Sequence, residues 1–297
     1  TGTVSQLAAE ETGLCPGTPV AGGAGDQPAQ AVGSGVVEPG IVSVTTGTSG
    51  VVFTATAGAT PHPQGLLHAF CHAMPESWYL MGVMLSAGGS LRWYRDVLGD
   101  VERAVAGVTG RDPYEYLVAE AEQAPVGSEG LLFLPYLTGE RTPYVDPLAR
   151  GAWVGLTARH DRRHLVRAIL EGVAFGLRDS LELVRGLGAP VKQLRASGGG
   201  ARSALWRQIQ ADVMGAELVT VNETEGAAYG AAILAAVGTG LFTSVPEACR
   251  EFVRIETRTE PVEANATRYE RLYGVYRQAY SALKPLNDGL SGLALAC

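Results

Sequence analysis

The segment Val191-Lys192-Gln193-Leu194-Arg195-Ala196-Ser197-Gly198-Gly199-Gly200-Ala201-Arg202-Ser203 decides the fold class. Residues 191–196 read as a strand, 198–200 as a glycine turn, and 201–214 as a helix. The same alternation continues outward on both sides. Upstream, Asp161 is a good helix N-cap, and Leu165, Ile169, Val173, Leu177, Leu181 and Val184 recur at helical spacing until Gly186 or Gly188 closes the run. Downstream, residues 217–221 read as a strand and 226–237 as another helix. Such alternation specifies an α/β sheet covered by helices.

Further out, residues 41–56 form two β-rich arms around the turn at Gly47–Gly50, a hairpin signal, and 66–73 and 78–85 read as further strands. Gly88-Gly89-Ser90 opens an amphipathic helix over 91–98, and 112–122 is a helix ended by Pro125 and Gly127. Residues 131–137 are a short apolar strand leading into the loop Thr138-Gly139-Glu140-Arg141-Thr142-Pro143, where Glu140 and Arg141 read as a loop ion pair. Residues 258–266 are expected to be loop, 269–283 a surface helix, and 286–297 a weakly ordered tail.

The 297 residues are 46% hydrophobic and 18% charged, enough for a sizeable core in one large domain or two ordinary ones. A net charge of −7 with no basic run disfavours a nucleic-acid partner. Cys15, Cys71, Cys249 and Cys297 show no CxxC spacing, so free thiols in a reducing cytoplasm are expected. The start, Thr1-Gly2-Thr3-Val4, has no leader-like character. The most membrane-like run, 226–242, is mostly Gly and Ala after Glu223 and Glu225, and reads as a buried helix rather than a span.

Several chemistries fail on motif grounds. The chain has no G-x-x-x-x-G-K-[ST], no G-x-G-x-x-G opening a helix, no G-x-S-x-G elbow and no HRD or DFG. His68 and His72 on a strand would stand about 13 Å apart at about 3.3 Å per residue, too far for one metal, so structural hydrogen bonds are the better reading. Three glycine-rich stretches remain. Gly22-Gly23-Ala24-Gly25-Asp26-Gln27 sets a carboxylate where a ligand can approach the backbone, although an Asx turn would look the same. Thr45-Thr46-Gly47-Thr48-Ser49-Gly50 can hold phosphate oxygens or merely close a hairpin. Gly198-Gly199-Gly200 before a helix favours an anionic or nucleotide ligand, or tight helix–strand packing. Together they outline an ATP-dependent kinase without a P-loop, whose carboxylate takes the proton of an acceptor hydroxyl.

The motifs Gly25-Asp26-Gln27, Thr46-Gly47-Thr48-Ser49-Gly50, Gly139-Glu140-Arg141-Thr142-Pro143 and Ser197-Gly198-Gly199-Gly200-Ala201-Arg202-Ser203 stand in the order seen in the FGGY carbohydrate kinases, and the chain resembles that family to about Pro285. Phe70-Cys71-His72-Ala73-Met74-Pro75, Leu85-Ser86-Ala87-Gly88 and the stretch from Leu134 to Pro143 resemble its xylulose-phosphorylating branch. The resemblance implies an actin-like ATPase (ribonuclease H-like) fold, with ATP and sugar in a cleft between two domains. It implies Asp26 as general base on the sugar hydroxyl (O5 of D-xylulose) and as a carboxylate that Mg2+ can reach, with Gln27 at the sugar. It also implies Gly47, Thr48, Gly88 and Arg92 at the phosphates, and Gly198, Gly199 and Ser203 at the adenosine end. A soluble cytoplasmic enzyme, a homodimer, and no membrane partner go with it. The chain resembles the C-terminal half of such a two-domain sugar kinase. Residues 1–40 would be the end of the N-terminal sugar-binding domain with the catalytic loop, 41–285 the ATP-binding domain, and 286–297 a tail. Sugar specificity for ribulose, gluconate, glycerol or another polyol stays open, as does a fragment that binds nucleotide without turnover. Pro28 departs from the family pattern, where small residues follow Gly-Asp-Gln.

Overall fold

The computed structural model describes residues 2–222 and 225–294; Thr1, Glu223 and Cys297, named above, lie outside the described residues. The chain opens with a two-stranded ribbon, β1 (Gly2–Thr3) and β2 (Pro19–Val20), which brackets α1 (Gln6–Thr12). Then come α2 (Asp26–Gly33), β3 (Gly40–Thr46), β4 (Gly50–Thr56), β5 (His68–Cys71) and β6 (Trp78–Met84). Three helices follow: α3 (Gly88–Leu98), α4 (Asp100–Thr109) and α5 (Pro113–Glu122). A short antiparallel pair, β7 (Leu132–Leu134) and β8 (Ala152–Val154), precedes α6 (Arg162–Gly186). The rest alternates through β9 (Val191–Ser197), α7 (Ala204–Met214), β10 (Leu218–Val221), α8 (Gly226–Gly238), α9 (Val245–Phe252), β11 (Ile255–Thr259) and α10 (Glu263–Ala294).

The central sheet has seven strands in the order β11-β10-β9-β3-β4-β6-β5. β9 runs parallel to both β3 and β10, and the other pairings are antiparallel. β4 shows why both faces are covered. Val52 packs into the main core with α6, whereas its neighbours Val51 and Phe53 pack with Ala31 and Val36 at α2. Alternate residues of a strand point to opposite faces, so β4 has no solvent side.

α6 is the main buried helix. The Asp161 carboxylate accepts from the Arg163 amide at 3.0 Å, and the His164 ring accepts from the Asp161 amide at 3.3 Å, a reciprocal cap. Ile169, Val173, Leu177, Leu181 and Val184 are all buried as their spacing predicts, each contributing about 1.5–3 kcal/mol. On the opposite face α2 crosses α8 glycine against glycine. A Cβ on Gly33 would overlap the Gly226 carbonyl oxygen, and one on Gly230 would overlap that of Ala29. Arg195 on β9 donates to the Ser34 carbonyl at 2.5 Å and so caps the C-terminal end of α2.

Four expectations change. The 226–237 helix is present as α8, but only Gly230 and Ile233 in it are buried. Gly226 and Gly230 face α2 and let it approach closely, whereas Ala228, Ala231, Ala232 and Ala235 lie on an exposed face. Residues 258–266 are not a loop: β11 ends at Thr259 and α10 starts at Glu263, and β11 exists because β10 offers it a backbone edge. The stretch from Leu286 is not a loose tail as far as Ala294, because it continues α10, with Asn287 and Ser291 turned to the body. α4 and α9 were not anticipated. Among the described residues no helix is long and apolar enough to cross a membrane.

Candidate active site

The hairpin of β3 and β4 closes between Thr46 and Gly50, which are register partners. Within the turn the Gly47 amide donates to the Ser49 carbonyl at 3.0 Å. The start of α3 is docked onto this turn. The amides of Ala87 and Gly89 donate to the Thr48 carbonyl at 2.9 and 3.0 Å, and that of Gly88 to the Gly47 carbonyl at 2.8 Å. Only glycine permits that approach, since a Cβ on Gly88 would stand 2.6 Å from the Gly47 oxygen. The first amides of α3 therefore hold the turn rather than point at a ligand, and Gly88 contributes its bare surface.

The second glycine turn lies beside the first. Gly198 has φ +81°, the left-handed region, and a Cβ there would stand 2.7 Å from the Thr46 carbonyl. Gly200 packs on the Thr46 side chain, whereas a Cβ on Gly199 would meet nothing within 4 Å. Residues 199–202 make a 3-10 turn, and the Ser203 hydroxyl accepts from the Trp206 amide at 3.2 Å. That cap delays the start of α7 to Ala204, later than the sequence reading of 201.

Between the two turns lies a cavity of about 850 Å³, of the size small ligands occupy. Gly47, Thr48, Gly88, Arg92, Gly199 and Ser203 all line it. Gly198 supports the wall from beneath and is not in the lining. The far wall, not anticipated from the sequence, is α5, with Glu115, Val118, Ala119 and Glu122 on one helical face. Their i, i+3, i+4, i+7 spacing marks a face, but nothing local says that it looks across at Gly199. Asp112, the N-cap of α5, accepts from the Tyr114 amide at 3.0 Å, and Tyr114 lies under the Arg95 guanidinium at 4.9 Å. Burial raises the Tyr114 phenol above its usual value despite that cation.

Asp26 is not in the cavity wall. It is exposed and opens α2, with Gly25 as N-cap, so it sits on a helix start rather than in an open glycine loop. Pro28 fits in the first turn of α2, where its missing N–H costs nothing, so it does not distort the helix. Gln27 is half-buried beside it. One turn further on, Gln30 reaches the sheet: its Nε2 donates to Thr45 Oγ1 at 3.1 Å and to Ser197 Oγ at 3.2 Å. Thr45 precedes the Gly47–Gly50 turn and Ser197 precedes the glycine triplet. Burial raises the Tyr79 phenol above its usual value, and the nearby Asp26 charge adds to the shift.

Glu140 and Arg141 are not an ion pair. Glu140 is buried, and its Oε1 accepts from the Leu85 and Arg141 amides at 3.0 and 2.7 Å, tying the loop to the end of β6. Burial pushes its carboxyl up to about 8. The exposed Arg141 side chain instead helps lower His68, whose shift is owed first to burial. His72 contacts the Val36 carbonyl through Nε2 at 3.2 Å, as a structural histidine would. Cys15, Cys71 and Cys249 are free thiols.

The model for "FGGY family of carbohydrate kinases, C-terminal domain" matches residues 42–239. A xylulose kinase of Bacillus subtilis is 36% identical over 289 residues, 97% of this chain and 56% of that protein. A gluconokinase of the same organism is 36% identical over 268 residues, 90% of this chain and 52% of that protein. The crystal structure of a xylulose kinase from Rhodospirillum rubrum superposes with a TM-score of 0.84 at 34% identity, covering 97% of this chain and 56% of that one. The chain thus spans about half the length of the curated relatives it matches. Matched over two thirds of its length and superposable on a solved member, it belongs to the FGGY family of carbohydrate kinases and carries the actin-like ATPase fold of their C-terminal domain.

Proposed function

We propose that the protein containing this chain transfers the γ-phosphoryl group of ATP to a sugar hydroxyl, converting D-xylulose to D-xylulose 5-phosphate. The observation that carries the reading is the single cavity between the two glycine turns, with the helix of Asp26 hydrogen-bonded to the strands that bear both turns. In this reading Gly47, Thr48, Gly88 and Arg92 receive the phosphates, and Gly199 and Ser203 the adenosine end. Gly198 supports the second turn. The openness at Gly199 suits a ligand in van der Waals contact with the backbone. Asp26 takes the hydroxyl proton as the sugar oxygen bonds to the γ-phosphorus, the bond to the β-phosphate oxygen breaks, and ADP leaves. Gln27 orients the sugar.

Magnesium is the proposed ion: carried on the triphosphate, it would supply charge neutralisation there. The residues present fit such a carried ion, for which Asp26 would be the carboxylate within the chain. Among the described residues no cluster of three His, Cys, Asp or Glu side chains forms a metal cage. On the family resemblance we assign residues 1–40 to the sugar-binding unit and 41–285 to the nucleotide-binding unit, and place the enzyme in the cytoplasm as a homodimer.

The test is coupled ADP release by the whole polypeptide that contains these residues, with D-xylulose, D-ribulose, D-gluconate and glycerol in parallel. The highest kcat/KM is expected with D-xylulose, and Asp26→Asn should lower kcat by about 10²–10⁴-fold. Preference for gluconate would favour the second reading, which the match to a gluconokinase supports. ATP binding by calorimetry with no sugar-dependent ADP release would leave a nucleotide-binding protein without catalysis.

A further inference from the structure

Gln30, Thr45 and Ser197 close a three-membered ring of hydrogen bonds. The two N–H groups of the Gln30 amide reach Thr45 Oγ1 at 3.1 Å and Ser197 Oγ at 3.2 Å, and those hydroxyls lie 2.8 Å from each other. Hydroxyls both donate and accept, so each corner has a partner on each side. Thr45 and Ser197 are register partners across the parallel β3–β9 pair, and Ser43 Oγ extends the ring at 3.4 Å from Thr45. The three residues are half-buried.

Each corner belongs to a different part of the site. Gln30 lies four residues beyond Asp26 on α2, hence on the same helical face. Thr45 is followed by Thr46 and Gly47, and Ser197 by Gly198 and Gly199. The other polar anchors of α2 lie at its far end, where Arg195 holds the Ser34 carbonyl and the Cys249 thiol donates to the Val32 carbonyl at 3.3 Å. The crossing with α8 is a packing contact without side-chain hydrogen bonds that runs from Ala29 to Gly33. Among the described residues, Gln30 therefore makes the side-chain hydrogen bonds to the sheet that lie nearest Asp26 on α2. A helix start without an anchor frays, and a reacting group displaced by about 1 Å can lose about a hundredfold in rate.

We infer that the Gln30–Thr45–Ser197 ring is a positioning device that fixes Asp26 relative to the nucleotide cavity, coupling the general-base helix to both glycine turns. Gln30 acts through Asp26 and touches neither nucleotide nor sugar. The inference rests on the kinase reading above.

The test compares Gln30→Leu, which keeps most of the bulk and loses the donors, with Ser197→Ala, which removes one corner without crowding. Both are made in the whole polypeptide. Each is expected to lower kcat by about tenfold or more while the KM for ATP stays within about twofold. The double variant should be no slower than Gln30→Leu, because either change opens the same ring. Hydrogen exchange gives a readout independent of turnover. ADP should slow exchange of the 26–30 amides in the wild type and leave it unchanged in both variants. Wild-type kcat in both variants, or an equal ADP response in all three proteins, overturns the inference and leaves the kinase reading intact. Absence of sugar-dependent ADP release by the wild type overturns the reading instead, and the exchange response to ADP then decides the coupling alone. If Gln30→Leu does not fold, Ser197→Ala carries both measurements.

Discussion

Gly199 is the residue at which the two glycine turns stop being architecture and become surface. Its neighbours Gly198 and Gly200 are glycine because the Thr46 backbone and side chain lie against them, whereas a methyl on Gly199 would enter only the cavity. Gly199→Ala is therefore expected to raise the KM for ATP several-fold and leave the melting temperature within a degree or two, measured by ADP release and thermal denaturation. Gly198→Ala should unfold the turn, since it adds both a left-handed strain and an overlap with Thr46. The triplet was legible in the sequence as a glycine turn between strand and helix; which glycine packs and which faces the cavity was not, because that depends on Thr46, a residue about 150 positions away.

At the scale of elements, the α2–α8 crossing governs where the Asp26 helix lies. The helices approach so closely that two glycines are needed, and the sequence 226–237 signals apolar helix without saying which face is used. Gly230→Ala forces the helices apart and should cost about 1–3 kcal/mol in denaturant titration, with a fall in kcat because α2 moves with its partner. A substitution on the open face, Ala228→Ser, serves as the control with little effect on either. The 3.6-residue period of α6 and its Asp161 cap were readable because they are local. β11 was not, because its stability comes from pairing with β10 rather than from its own polar sequence.

At the scale of the whole molecule, two buried carboxyls, Glu140 and Asp179, make their contribution to stability fall as pH rises. Burial pushes Glu140 up to about 8 and Asp179 up to about 7, from ordinary carboxylate values. Between about pH 5 and 8 these two groups hold protons in the folded chain that they have released in the unfolded chain, so their contribution to folding weakens with rising pH. Glu140→Gln keeps a neutral group at that place and should flatten the decline between pH 6 and 8, read as the midpoint of urea unfolding at each pH. An unchanged pH slope would show that Glu140 is ionised in the fold. The sequence by itself determined the α/β class, the three glycine motifs and their family order, because periodicity, caps and turn residues act over a few positions. It also singled out Asp26. Only the tertiary structure decided that α5 forms the far wall of the cavity, that Glu140 is buried rather than paired with Arg141, and that Gln30 ties the Asp26 helix to both glycine turns. Those facts are contacts between residues from 15 to 167 positions apart, set by how helices cross and strands order themselves, and no local pattern encodes them.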